Sequence, residues 1–211
     1  MDIVRALRTP RVRAPLDPAA YWEMRAPDLV HGYDHPETWA ERGWMASGVE
    51  EELVPRLLRD RNVASVIVVG AGTGRQYGFL SDLGISVRGF DISPSVVQAA
   101  RERHPRIETL VDDLLGAEQR HAPADAVLAT AVLQHVAPDR IQDAARSVAG
   151  LARRLIILRE ATWIATPSTY LWAHNYDALF QRWECVRCVV TDETDRYRVD
   201  LRALTRRPPE L

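Results

Sequence analysis

The chain has 211 residues, enough for one compact domain with a substantial core but not for two. Lys and Arg total 27 against 29 Asp and Glu, so no basic field favours nucleic acid, and an apolar content of 46% excludes a disordered chain. Met1 precedes charged, proline-containing sequence rather than an apolar signal core, and no window reaches the roughly 20 apolar residues of a membrane span, so a cytoplasmic protein is expected.

Residues 1–60 read as an amino-terminal cap rich in Pro, Arg and aromatics, including Tyr21, Trp22, Tyr33, Trp39 and Trp44. A helix from Gly48 to Leu58 is predicted, with Pro55 interrupting it. Val63 to Val69 is a β-branched run ending at Gly70, which suits a strand buried on both faces. Arg75 to Leu83 reads as a helix stopped by Gly84, and Ile85 to Phe90 as the second strand. Ser93-Pro94 supplies a capping residue and a first-turn proline for a helix to Arg103.

Further strands are expected at Ile107–Val111, Ala126–Ala129 and Leu155–Leu158, with a helix carrying Ile141, Ala145, Val148 and Leu151 before the last. Strands alternating with helices over 61–160 imply a doubly wound, mainly parallel α/β sheet. Residues 161–211 then read as a lid and a closing antiparallel hairpin. A short helix near Tyr176 to Trp183 precedes strands Cys185–Val190 and Tyr197–Leu204, joined by a turn at Thr191–Asp195. Cys185 and Cys188 form a lone C-x-x-C, too few ligands for structural zinc, and on a regular strand they point to opposite faces.

The run Val66 to Arg75 places Gly70-Ala71-Gly72-Thr73-Gly74 between a strand and a helix, where backbone approaches a ligand closely. Asp91 ends the second strand 21 residues after Gly70, in position to accept from both hydroxyls of a ribose, and Asp113 follows the third strand. The third glycine of G-x-G-x-x-G is displaced, since Arg75 stands where it belongs, which disfavours nicotinamide dinucleotides.

These blocks, with Phe90-Asp91-Ile92-Ser93, Val111-Asp112-Asp113-Leu114, Ala124-Asp125-Ala126-Val127 and Val132-Leu133-Gln134-His135-Val136, resemble the core of class I S-adenosylmethionine-dependent methyltransferases. The resemblance implies a Rossmann-like seven-stranded sheet with a carboxy-terminal hairpin and an amino-terminal helical cap. It also implies S-adenosylmethionine as cofactor. Gly70 and Gly72 then lie against the methionine portion, Ala71 and Gly74 belong to the same cofactor loop, and the carbonyls of Gly70 and Ala129 are offered to the ammonium. Asp91 holds the ribose, Ile92 packs on the adenine, and Asp113 and the Leu114 amide meet its edge.

Two departures matter. Val68 stands where relatives carry an acidic residue toward the ammonium, so a group from the amino-terminal segment is expected to serve it. Asp112 replaces a common glycine and reads as a solvated turn residue. Val68 also leaves open a non-methylating chemistry of the same cofactor, such as cyclisation or aminocarboxypropyl transfer, and a non-catalytic binding module fits the same motifs.

Ligands of doubly wound sheets bind outside the strands' carboxyl ends. The acceptor is expected to be a small molecule methylated on O or N, in specialised metabolism, without nucleic acid, membrane or metal; a homodimer is compatible. Candidate groups for removing its proton are Glu160, His174, Tyr176 and His135, each of which also has a structural reading as a pairing or capping residue. Tyr21 and Trp22 are candidates to cover the sulfonium, and Trp163 to Trp172 to close as an aromatic lid.

Overall fold

The computed structural model describes residues 17–35, 48–165 and 170–207, which leaves Trp39 and Trp44 outside. Helix α1 spans Pro18–Asp34, capped by Asp17, whose carboxylate accepts from the Ala20 amide at 3.3 Å. Helix α2 spans Val49–Asp60 and continues through Pro55 instead of breaking there. Tertiary packing decides this: Val54, Leu57 and Leu58 around the proline are buried against the sheet and outweigh the lost hydrogen bond.

The strands are β1 (Ser65–Val69), β2 (Ser86–Asp91), β3 (Glu108–Val111), β4 (Ala124–Thr130), β5 (Ala152–Ile164), β6 (Trp183–Glu193) and β7 (Tyr197–Arg206). They form one sheet in the order β3-β2-β1-β4-β5-β7-β6. The first five pair in parallel, and β7 is antiparallel to both β5 and β6. The strand order reverses between β1 and β4, so the carboxyl ends of these two strands frame the crevice where such sheets bind ligands.

Alternating residues of the central strands enter two cores, which is why Val66 to Val69 is unbroken in hydrophobicity. Ile67, Val69, Val127, Ile156 and Leu158 pack beneath α5 (Ile141–Leu151). Val66, Val68, Leu128, Leu155 and Ile157 pack against Val54 and Leu58 of α2 and against Tyr77. Tyr77 opens α3, which covers only Tyr77–Ser81 because the glycine loop occupies the stretch before it. Helix α4 (Pro94–Arg103) starts where expected, with the Ser93 hydroxyl accepting from the Val96 amide.

Strand β5 runs well past the expected Leu158, because β7 pairs with it as far as Ile164 opposite Tyr197. The closing hairpin is correspondingly longer, and its turn moves to Thr194–Arg196, where the Thr194 hydroxyl accepts from the Arg196 and Tyr197 amides. Helix α6 is a single turn, Tyr176–Leu179, capped by Asn175, since Trp183 already belongs to β6. The C-x-x-C expectation is corrected by a β-bulge: Cys185 pairs with Leu204 and Cys188 with Arg202, so both cysteines share one face of β6. No described helix is long and apolar enough to cross a membrane.

Candidate functional site

The chain leaves β1 into a loop whose three glycines all have positive φ: 58° at Gly70, 55° at Gly72 and 83° at Gly74. A Cβ on Gly70 collides with the Val132 side chain, so the loop after β4 rests directly on it. A Cβ on Gly72 meets nothing within 4 Å, so this glycine faces open space beside the crevice. Its amide donates instead to Asp91 Oδ2 at 2.9 Å, while Ser93 donates to Oδ1 at 3.0 Å.

Asp91 thus ties the end of β2 to the glycine loop and keeps further lone pairs on both oxygens. Burial pushes its carboxyl above the ordinary range, against the pull of the backbone amides. Two charge-accepting oxygens beside an open glycine suit a vicinal diol, and the loop amides suit its neighbouring chain.

Asp112 and Asp113, adjacent in sequence, have different surroundings. Asp112 is not the solvated turn residue that was expected. It accepts from Arg120 Nε at 2.9 Å and from His121 Nε2 at 2.7 Å, contacts that outweigh burial and hold its carboxyl below the usual range. Asp113 is exposed, with Oδ1 accepting only from the Leu115 amide. It remains free to receive a ligand amino group, and Leu114 beside it is buried.

Helix α1 lies along α4. Glu23 accepts from the Ser93 hydroxyl at 2.7 Å, the Ser95 amide at 3.2 Å and the Ser95 hydroxyl, placing a carboxylate at the positive amino terminus of α4. At the other end Arg103 pairs with Asp34 at 2.7 Å, and Tyr33 Oη meets His104 Nε2 at 3.2 Å. This brace brings Tyr21 and Trp22 to the loops beyond the sheet. Tyr21 stacks on Tyr170 with ring centroids 3.9 Å apart, and Trp22 meets His135 edge-on at 4.8 Å.

The four proton-acceptor candidates fall into two groups. Glu160, 1% exposed, accepts from the amides of Val132 (2.9 Å), Leu133 (3.0 Å) and Gln134 (3.1 Å), fastening the loop after β4 to β5. Burial outweighs these three bonds and pushes its carboxyl up to about 7. His135 donates from Nδ1 to the Tyr170 carbonyl at 2.5 Å, with Gln134 Nε2 3.3 Å from its Nε2. Burial lowers its pKa to about 4, so it is neutral with both nitrogens engaged. Both residues therefore act here as fasteners of a loop.

His174 and Tyr176 lie together, with ring centroids 6.2 Å apart at 83°. His174 Nε2 lies 3.0 Å from the Val136 carbonyl, and burial lowers the pKa of the ring against the pull of the Val136 and Leu133 backbone. Tyr176 is 2% exposed, and burial, reinforced by the charge of Glu160, raises its pKa strongly.

One buried group went unnoticed in the sequence. Glu50, on α2, is 2% exposed and accepts from Arg75 Nη2 at 2.5 Å, Thr130 Oγ1 at 2.7 Å and Gln76 Nε2 at 3.4 Å. It joins the cap to the glycine loop and to the end of β4, on the sheet face where Val68 is apolar. The available signal was its place in the helical stripe Glu50, Val54, Leu57, obscured by Glu51 and Glu52 beside it. Among the described residues no cluster of three or more His, Cys, Asp or Glu is placed to hold a metal.

Residues 66–154 match a family model described as a methyltransferase domain. No curated protein matches the chain in sequence. Among solved structures, magnesium protoporphyrin IX methyltransferase from Synechocystis with bound S-adenosylmethionine is similar at TM-score 0.68 and 18% identity, over 92% of this chain and 99% of that one. An S-adenosylmethionine-dependent methyltransferase from Anabaena variabilis is similar at 0.65 and 16%, over 91% and 96%. The 1,6-didemethyltoxoflavin N1-methyltransferase from Burkholderia thailandensis is similar at 0.62 and 17%, over 92% of each. The core of the chain thus matches a methyltransferase domain in sequence, and nearly its whole length shares the fold of these solved methyltransferases.

Proposed function

We propose that the chain transfers the methyl group of S-adenosylmethionine to an oxygen or nitrogen of a small molecule, in specialised metabolism. The observation that carries the reading is Asp91, whose carboxylate spans the end of β2 and the Gly72 amide at the topological switch, beside a glycine with open space in front of it. When bound, S-adenosylmethionine supplies an activated methyl group. In this reading Asp91 accepts from the ribose hydroxyls, Ile92 and Leu114 flank the adenine, and Asp113 accepts from its amino group. Gly70, Ala71, Gly74 and the Ala129 carbonyl line the methionine portion. Glu50 takes over the ammonium, supplying the amino-terminal group that Val68 lacks, with Arg75 beside it for the carboxylate.

On the acceptor side His174 is the group best suited to remove a proton, since burial lowers its pKa and favours the neutral imidazole and it lies half-buried in the wall of a cavity. Glu160 and His135 position the loop between cofactor and acceptor, and Tyr21 and Trp22 close over it with Tyr170. The small-molecule acceptors named for the magnesium protoporphyrin and toxoflavin enzymes support the substrate class.

Incubation with S-adenosylmethionine and a metabolite pool tests the reading. Formation of S-adenosylhomocysteine with a methylated product is expected. Methylthioadenosine in its place, or intact cofactor, refutes methyl transfer.

A further inference from the structure

Three buried side-chain polar atoms among the described residues have no hydrogen-bond partner: Thr162 Oγ1, Tyr176 Oη and Arg202 Nε. They do not lie scattered. All three residues line one cavity of ≈ 330 Å³ between β5, β7 and the segment leading into α6, together with His174, Asn175 and Asp177. Unpaired buried polar atoms cost free energy and are few in native proteins, so three of them on residues that line one cavity point to a ligand that pairs with them as the side chains turn toward it.

The chemistry of that ligand follows from what the three atoms can do. Arg202 Nε only donates, and the other guanidinium nitrogens are occupied: Nη1 by Asp177 at 2.6 Å, Nη2 by Asp200 at 3.5 Å. Both hydroxyls can donate as well. The matching group is an acceptor oxygen. Its charge is decided by the neighbours, since Asp177 and Asp200 already offset Arg202 and a further anion has no unmatched cation to meet.

The cavity's place is informative too. His174 is bonded to Val136, and the Trp172 amide donates to the Gln134 carbonyl at 2.8 Å, so the cavity shares a wall with the loop that rests on Gly70 from the other side. We propose that this cavity is the distal subsite of the methyl acceptor and binds a neutral carbonyl group, of an amide, ester or ring ketone, whose oxygen accepts from two of Arg202 Nε, Tyr176 Oη and Thr162 Oγ1 while the third hydrogen-bonds within the set. The assignment rests on the methyl-transfer reading for the ligand's identity as acceptor. Anchoring the unreactive end there orients the reacting atom toward the cofactor side of the loop.

The test titrates benzamide, benzoate and toluene into the full chain saturated with S-adenosylhomocysteine, followed by protein-observed NMR. The same titrations are made on Thr162→Val and Tyr176→Phe, and the melting temperature of each protein is measured. Benzamide should bind in preference to the other two and weaken roughly 3- to 10-fold in each variant, the effect of one lost hydrogen bond. Neither variant should melt lower than wild type, because each removes an unpaired buried hydroxyl.

A clear fall in melting temperature would show that the hydroxyl has a structural partner and overturn the proposal. So would benzamide binding that is absent or unchanged in both variants, or equal binding of toluene. Tighter binding of benzoate would overturn the neutral assignment. Failure of S-adenosylhomocysteine itself to bind refutes the methyl-transfer reading separately, with benzamide then titrated alone to judge the cavity.

Discussion

Replacing Glu160 separates a structural fastener from a chemical base. Glu160→Ala leaves the amides of Val132, Leu133 and Gln134 without their acceptor at a site where the side chain is 1% exposed. Each buried donor left unpaired costs about 1–3 kcal/mol, and water entering the vacated space recovers part of it, so the net loss is about 3–6 kcal/mol. That is a large share of the about 5–15 kcal/mol stabilising a typical domain. At about 2–4 °C per kcal/mol for a protein of this length, the melting temperature falls by on the order of 10–20 °C.

Glu160→Gln keeps one acceptor oxygen but turns an N–H₂ toward backbone donors, so it should fall between wild type and the alanine variant. Differential scanning calorimetry reads both. An alanine variant that melts within about 2 °C of wild type would refute the fastening role, as would a Glu160→Gln variant that melts normally yet loses about 10²–10⁴ in kcat, the loss expected of a general base.

The same carboxyl carries a pH dependence. Because burial lifts it to about 7, the folded chain holds a proton that the unfolded chain releases in the ordinary carboxylate range. Its contribution to stability therefore declines as the pH rises toward 7, and the melting difference between wild type and Glu160→Gln should shrink over that window. His135 runs the opposite way: with its pKa lowered to about 4, acidification from about 6.5 protonates only the unfolded chain and destabilises the fold. His135→Gln should flatten that acid limb, and an unchanged profile would refute the burial argument. Asp91→Asn should weaken S-adenosylhomocysteine binding by about 30- to 100-fold in calorimetry, the equivalent of about 2–3 kcal/mol, and unchanged affinity would remove Asp91 from the ribose site. Gly89→Ala places a Cβ against Tyr77 Oη and 2.8 Å from the Val68 carbonyl, so it should cost about 1–3 kcal/mol in chemical denaturation. A neutral result would mean that Tyr77 can leave its 3.0 Å hydrogen bond to Thr109 without cost.

What the sequence determined by itself lies where local patterns and the fold agree. The β-branched run before Gly70, the Ser93-Pro94 helix start and the acid at the end of β2 all stand where they were expected, because turn chemistry, capping and strand burial each act within a few residues. The tertiary structure decided what depends on partners distant in the chain. Helix α2 survives Pro55 because the sheet buries its flank, and β5 extends to Ile164 because β7 pairs with it. The two cysteines share a face because a bulge shifts the register, which no spacing rule records.

The same division runs through the site. The position of Asp91 at the end of β2 was legible because it follows from strand length and the glycine loop. The three loop amides that donate to Glu160 were not, since they come from a loop 26 to 28 residues earlier in the chain and no local pattern records the pairing. Glu50 was hidden for a related reason: among three successive glutamates, only packing on the sheet selects the one that is buried against Arg75 and Thr130.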